Sequence, residues 1–554
     1  MQQLTGLDAS FLYLETPNAP MHISGLAIYD PSTAPDGFVR FKQIIENTTR
    51  RVKRLPTLSK RLATVPMGLD HPYWVSDGSF DPEFHIRHLA LPKPGDWRQL
   101  CILISRIHAR QLDRKRPLWE LYVIEGLDNI DHLPKGSFAI FTKMHHAAVD
   151  GASGTEITAA LHDLTPTGDL RSEPYPVEVE NAPTDAELLI RAQLNAIKQP
   201  FRFVSVARNT VPGFAQAYAR LRKGELHRVE TVPRTRFNGK VSPHRVFNAV
   251  SFPLQDIKQI KNAVPGATVN DVAITICGGA LRRYLLDKDE LPDESLAAMA
   301  PVNVRNTSEK GTGGNIVSAM TVQVRSDIAD AVERLKAVHA GTADAKDYAN
   351  AVGAKSMTDY TQFIPSTLTA QAARLASRWG LMNRMSPIYN CVITNVPGPQ
   401  VPLYNTGARM VANYGTGPIL DGMGLFHAIT SYCGDFAISA TSCRVIMPDP
   451  DFYRQCLLDS FEELKKGTDA ITSEAAAAGK SKTKTKVKTK AKTKAKTKAK
   501  TKAKTNAKTR KKAASRPAAR KTTKAGTKPA AKNKAGATKT RTAARKKAPV
   551  RKRA

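Results

Sequence analysis

His145-His146-Ala147-Ala148-Val149-Asp150-Gly151 follows closely on an apolar run, Phe138-Ala139-Ile140-Phe141, and the reading of the chain turns on this junction. The run predicts a buried strand over 138–145. Successive side chains on a strand point to opposite faces, so the two imidazoles cannot share one environment. One packs into the structure while the other faces a channel. An imidazole titrates near neutrality, and a neutral one aimed into a channel can take a proton from an alcohol or a thiol. Asp150, five residues after His145, and the small Gly151 predict a tight turn that returns a carboxylate beneath the pair.

Charge divides the rest of the chain. Residues 480–554 hold 32 Lys and Arg and no Asp or Glu, so of the net +34 only about +2 belongs to residues 1–479. Repeats such as Lys484-Thr485-Lys486-Val487-Lys488 offer almost nothing to bury, which predicts a disordered basic tail over 474–554. The remaining length suits two domains of roughly 200 residues each. Helical spacing over Leu100 to Leu112 alternates with extended runs at Trp119 to Ile124, Phe138 to His145, Val246 to Phe252, Ile316 to Val324, Cys391 to Thr394, Phe426 to Tyr432 and Phe436 to Cys443. That alternation predicts a mixed α/β architecture. A Pro-rich acidic stretch from Thr165 to Pro183 leads into Thr184-x-x-Glu187, a capping box that opens an amphipathic run through Leu188, Leu189, Ala192 and Ile197. The expected organisation is a first domain over 1–164, a linker over 165–235, a second domain over 236–473, and the tail.

Several activities are disfavoured. Cys101, Cys277, Cys391, Cys433, Cys443 and Cys456 form no Cys-x-x-Cys or zinc-spaced cluster, so no metal site is expected and the thiols read as reduced and cytoplasmic. No apolar run approaches the roughly 18 residues that span a bilayer, and the N-terminus has no secretory pattern. Gly151-Ala152-Ser153-Gly154 falls one residue short of Gly-x-Ser-x-Gly, and no phosphate-binding Gly-x-x-x-x-Gly-Lys-Ser/Thr occurs.

The full HHxxxDG string resembles the active-site motif of the CoA-dependent acyltransferases, among them chloramphenicol acetyltransferase-like enzymes and peptide-synthetase condensation domains. Further segments narrow the resemblance to the bacterial wax ester synthase/diacylglycerol acyltransferase family over most of residues 1–465. These are Leu7-Asp8-Ala9-Ser10-Phe11 with Pro20-Met21-His22, Arg116-Pro117-Leu118-Trp119-Glu120, Ser242-Pro243 with Arg245, and Asn270-Asp271. Pro301-Val302-Asn303-Val304-Arg305, Gly314-Asn315 and Asn395-Val396-Pro397-Gly398-Pro399 complete the series in order.

The resemblance implies a fold of two chloramphenicol acetyltransferase-like domains with a channel between them. It implies that His146 is the general base, with His145 beside it, and that Asp150 is structural and salt-bridged to Arg305. The implied reaction takes long-chain acyl-CoA as co-substrate, with no metal or other cofactor, and forms triacylglycerol from diacylglycerol or wax ester from a fatty alcohol. Asn270 and Asp271 become candidate channel or oxyanion residues.

Plain structural readings stand beside these. Pro-Leu-Trp is equally a junction with a buried indole, and Thr268 with Asp271 makes a capping box that explains Asn270-Asp271 without chemistry. Gly278-Gly279 inside the following helix implies a close backbone approach. Asn-Val-Pro-Gly-Pro reads as a turn or as a crossover loop near the channel. The basic amphipathic segment after Thr184 fits packing across two domains better than lying on a membrane. The tail suits an anionic membrane or lipid-droplet surface, which would place the protein at the inner face of the cytoplasmic membrane or on droplets, and it suits nucleic acid as well. Two other functional classes remain: a condensation-type transferase that needs a carrier protein, and a nucleic-acid-binding protein acting through its tail.

Overall fold

The computed structural model describes residues 1–52, 55–149, 151–168, 182–198, 232–303, 317–352 and 386–473. Met1–Ala476 form one compact unit. Its first half runs β1 (Gln2–Gln3), α1 (Gly6–Leu14), β2 (His22–Asp30), α2 (Phe41–Val52), β3 (Lys60–Ala63), β4 (Tyr73–Ser76), α3 (Pro82–His85), β5 (Ile86–Ala90) and α4 (Trp97–His108). It continues through β6 (Trp119–Glu125), β7 (Phe138–His145), α5 (Gly151–Leu161) and α6 (185–198). The second half runs β8 (Arg245–Pro253), α7 (Leu254–Ala263), α8 (Val269–Asp287), β9 (Ala297–Asn303), β10 (Val317–Gln323), α9 (Ala331–Val352) and β11 (Cys391–Pro397). It ends with β12 (Tyr404–Asn405), β13 (Ala408–Thr416), β14 (Phe426–Tyr432), β15 (Asp435–Cys443) and α10 (450–473).

Two six-stranded sheets organise these elements, ordered β12-β13-β2-β7-β6-β5 and β10-β9-β11-β14-β15-β8. Every strand expected from the sequence forms within a few residues of its expected bounds. The helix expected to reach Leu112 stops at His108, four residues earlier. One connection runs against chain order. β12 and β13 fall within 236–473, yet β13 pairs antiparallel with β2, so the first sheet is completed from the second half of the chain. The Asn395-to-Pro399 segment carries the chain from β11 in one sheet toward β12 in the other, and a Cβ on Gly398 would meet Ser431 O at 2.4 Å.

β7 lies inside the first sheet, and both of its faces are covered. Phe138, Ile140 and Met144 pack into a cluster with Tyr29, Trp119, Leu121 and Val123. Ala139 and Phe141 join Leu26, Ile28, Tyr122 and Ile124 beneath Leu100, Ile104 and Ile107 of α4. A strand buried on both faces reads as a continuous apolar run, which is why its sequence gave it away. α4 is fixed at its start by Asp96, whose carboxylate accepts from Gln99 N at 2.8 Å.

α8 is buried almost all round, as a central core helix should be. A Cβ on Gly278 would sit 2.1 Å from Val324 O, and one on Gly279 would sit 2.2 Å from Ser460 Oγ. The glycine pair therefore serves close packing on neighbouring elements. α6 opens at the expected N-cap, with Glu187 N donating to Thr184 Oγ1 at 3.3 Å, while the Glu187 carboxylate accepts from Arg191 one turn on at 3.0 Å. It buries Leu188 and Ala192 against Val65 and Tyr73, whereas Ile197, expected on the packed stripe, is 67% exposed. The tail lies outside the described residues.

Candidate active site

The β2–β7 ladder ends at the facing pair His22 and His145. Beyond it His146 N donates to Met21 O at 2.8 Å, and Ala148 N donates back to His145 O at 2.9 Å, so the chain turns within three residues. The turn separates the two histidines. His145 continues the alternation of Phe141 and Lys143 toward α4 and is fully buried. His146 is only partly buried, and its ring stacks on Phe11 of α1 with centroids 4.0 Å apart and planes 12° apart. Gly151 starts α5, while Asp150 and Arg305, the expected salt-bridge pair, lie outside the described residues.

A buried carboxylate holds His145 in place. Glu15, just past the end of α1, has its Oε2 3.6 Å from His145 Nε2 and its Oε1 3.4 Å from His22 Nε2. Arg114 clamps the same carboxylate through Nε at 3.0 Å and also donates to Leu12 O at 2.8 Å. Burial alone would raise the Glu15 pKa, but His145 and Arg114 outweigh it and hold the carboxyl below its ordinary value. Burial drives the His145 imidazole down, against the pull of Glu15, and drives His22 down further with the help of the Lys143 charge. Both rings are therefore neutral at physiological pH. Ala147 N donates to His145 Nδ1 at 3.0 Å, which leaves the ring proton on Nε2, pointing at Glu15. At 3.6 Å that contact is longer than a hydrogen bond and acts as electrostatic steering.

A second buried cluster ties the histidine strand to α4. Lys143 is completely buried, and its Nζ reaches Glu120 at 2.7 Å, Arg110 O at 3.0 Å and Ile107 O at 3.3 Å. Burial lowers the Lys143 pKa, and Glu120 opposes that shift. His108, the last residue of α4, lies edge-on to His22 at 6.2 Å between centroids. Trp119 fills the structural role considered for it, with the indole buried and Nε1 donating to Leu58 O at 2.7 Å.

Asn270 and Asp271 begin α8. Asp271 closes the expected capping box with Thr268, accepting from Thr268 N at 2.8 Å. Its carboxylate also accepts from Thr342 Oγ1 at 2.7 Å and faces His339 Nδ1 at 3.0 Å, so it fastens α8 to α9. Asn270 sits half-buried on the first turn of the same helix. Sequence reasoning gave no role to Glu15, Arg114 or Lys143. A lysine inside an apolar strand, two residues before His145, was the available signal for Lys143. Nothing local marks Glu15.

Two sheet-centred domains with a histidine pair at the end of a central strand define the class of two-domain HHxxxDG acyltransferases. A trichothecene 15-O-acetyltransferase from Fusarium sporotrichioides shares the fold at a TM-score of 0.51 and 10% identity, over 84% of this chain and 94% of its own. The model of the wax ester synthase/diacylglycerol acyltransferase catalytic domain matches residues 4–273, and that of the WS/DGAT C-terminal domain matches 313–465. A Mycobacterium tuberculosis protein provisionally named a diacylglycerol O-acyltransferase is 35% identical over 452 residues, covering 81% of this chain and 87% of its own. The wax ester synthase/diacylglycerol acyltransferase from Marinobacter aquaeolei VT8 superposes with a TM-score of 0.60 at 28% identity, over 84% of this chain and all of that one. The chain belongs to the wax ester synthase/diacylglycerol acyltransferase family.

Proposed function

We propose that the protein transfers a fatty acyl group from acyl-CoA to diacylglycerol, forming triacylglycerol, with wax ester formation from a long-chain alcohol as the nearest variant. One observation carries this reading: the turn after β7 buries His145 and leaves His146 partly exposed, stacked on Phe11. In the proposed reaction His146 takes the hydroxyl proton of the acceptor as its oxygen attacks the thioester carbonyl. The carbon–sulfur bond then breaks, and His146 returns the proton to the departing CoA thiolate. The thioester is already activated, so positioning of donor and acceptor in a channel between the domains supplies much of the acceleration. His145 and Glu15 set the turn. Asp150 paired with Arg305 would support the motif, and Asn270 is the proposed donor to the oxyanion.

The test supplies purified protein with labelled long-chain acyl-CoA, diacylglycerol and hexadecanol in competition, without any carrier protein. Labelled triacylglycerol is expected. Label found only in wax ester would move the assignment to the alcohol, and no labelled neutral lipid would refute it.

We also propose that the protein works in the cytoplasm, at the inner membrane face or on lipid droplets. Among the described residues no helix is long and apolar enough to cross a membrane. Met67 and Leu69 project at 76% and 56% exposure from the turn beside β4, and Ile190 and Leu194 are exposed on α6, which packs on the same region. Together with the basic tail they would hold the protein at a lipid surface, at about 1 kcal/mol for each cation close to anionic headgroups before screening. Truncation after Glu474 should leave turnover of detergent-dispersed substrate intact and weaken salt-sensitive binding to anionic vesicles. Equal vesicle binding by the truncated and full chains at low salt would rule out the tail as tether and favour nucleic acid as its partner.

A further inference from the structure

A cavity of about 800 Å³ opens between α4, the start of β8 and the turn that leads into α10. Arginine sets its character: Arg98, Arg106 and Arg110 come from α4 and its end, Arg245 from β8, and Arg444 from the residue after β15. Two carboxylates, Asp449 and Asp451, also line it, but both are already engaged. Asp449 accepts from Tyr284 Oη at 2.6 Å and from Lys288 Nζ at 2.5 Å. Asp451 accepts from Asn248 Nδ2 at 2.7 Å and lies 3.7 Å from Arg98 Nε. Arg106, Arg110 and Arg444 form no ion pair among the described residues.

Arg245 is the most informative of the five. It is 5% exposed, and its guanidinium donates only to carbonyls, Ser242 O at 2.5 Å and Asn18 O at 2.6 Å. Burial pushes its pKa down to about 10. A buried cation without a counter-ion is costly, and an incoming anion would relieve that cost. The cavity wall also adjoins the histidine turn. Lys143 on β7 holds Ile107 O and Arg110 O at the end of α4, and His108 there faces His22, the partner of His145. On the other side, Asn18 lies three residues before Met21, whose carbonyl accepts the His146 N–H.

We propose that this arginine-walled cavity binds the 3′-phosphate and pyrophosphate of the CoA donor, with the pantetheine arm directed toward His146. The inference rests on the acyl-CoA reading given above. Guanidinium groups match phosphate oxygens in paired, charge-assisted hydrogen bonds, and the volume lies within the range of small-molecule sites. The N-terminus of α10 at the cavity edge adds a dipole of the right sign for an anion.

The test compares the full chain with an Arg106→Gln/Arg444→Gln variant. Both residues are exposed and unpaired with carboxylates, so the variant should melt like the parent. Equilibrium dialysis with labelled CoA, with pantetheine or ATP as competitor, should show CoA held far more tightly than pantetheine, with affinity falling as salt rises. The variant should lose about tenfold or more in CoA affinity. The ratio of kcat/KM for acyl-CoA to that for acyl-pantetheine should fall by a similar factor. Unchanged CoA binding in the variant, a loss shared equally by acyl-pantetheine, or displacement by ATP as strong as by CoA would each overturn the proposal. Dialysis reads binding without turnover. CoA held through these arginines with no neutral lipid formed would refute the acyltransferase reading alone, and neutral lipid formed with indifference to the arginines would refute the cavity alone.

Discussion

His145 and His146 are neighbours in sequence and strangers in environment, and the difference sets what each substitution should do. His145 faces α4 in the buried interior, held by Ala147 N and steered by Glu15. His146 lies against Phe11 and is partly exposed. Replacing His146 with Ala should cut single-turnover acyl transfer by about 10²- to 10⁴-fold, the usual worth of a general base, while leaving the denaturation midpoint nearly unchanged. A variant as fast as the parent would remove His146 from the chemistry. Glu15→Gln should behave in the opposite way. It leaves the Arg114 guanidinium without its anion, and breaking a buried ion pair costs about 3 to 5 kcal/mol, somewhat less here because Arg114 is partly exposed. A lowered urea midpoint is expected, and an unmoved one would show that the carboxylate contributes nothing to holding the turn.

At the scale of elements, Asp271 shows how a residue singled out by motif can be explained by packing. Its carboxylate caps α8 through Thr268 and clasps α9 through Thr342 and His339. Asp271→Ala should lose about 2 to 4 kcal/mol, from the cap and from the Thr342 and His339 groups left unsatisfied, with turnover per folded molecule preserved. Denaturant melts paired with active-site-normalised rates would check this, and a stable but inactive variant would return Asp271 to the chemistry. Legibility followed the range of the contacts. β7 could be read because both of its faces are apolar, and α6 because Thr184 and Glu187 form a local signal. The β2–β13 pairing could not be read, since its partners lie about 380 to 390 residues apart and no local pattern specifies which strand completes a sheet. Glu15 stayed hidden for the same reason: it acquires meaning only where α1, β2 and β7 meet. The histidine motif identified the turn, but the carboxylate that orients His145 came from outside the motif.

Over the whole molecule, buried neutral histidines tie the assembly of the two sheets to pH. His108 donates from Nε2 to Gly417 O and receives the Ser24 and Thr416 hydroxyls at Nδ1, joining α4 to β2 and to the end of β13. His427 on β14 pairs with Tyr453 of α10 at 2.7 Å. Burial pushes their pKa values down to about 3 and about 4, from an ordinary value of 6.5. Folded-state values this low mean that the unfolded chain binds protons first as pH falls. The stability is therefore fully present above pH 6.5, and it is lost as the pH drops from there through the folded values. By linkage each of these two histidines should withdraw about 3 kcal/mol of stability by pH 4. Urea midpoints should hold steady from pH 8 to pH 7 and decline steeply below 6.5. His427→Gln keeps one donor and one acceptor but cannot titrate, so it should flatten part of that decline even if it lowers the midpoint at pH 7. A midpoint that stays level down to pH 4.5 in the parent, or an acid slope identical in the variant, would show that these imidazoles are not what couples folding to protons.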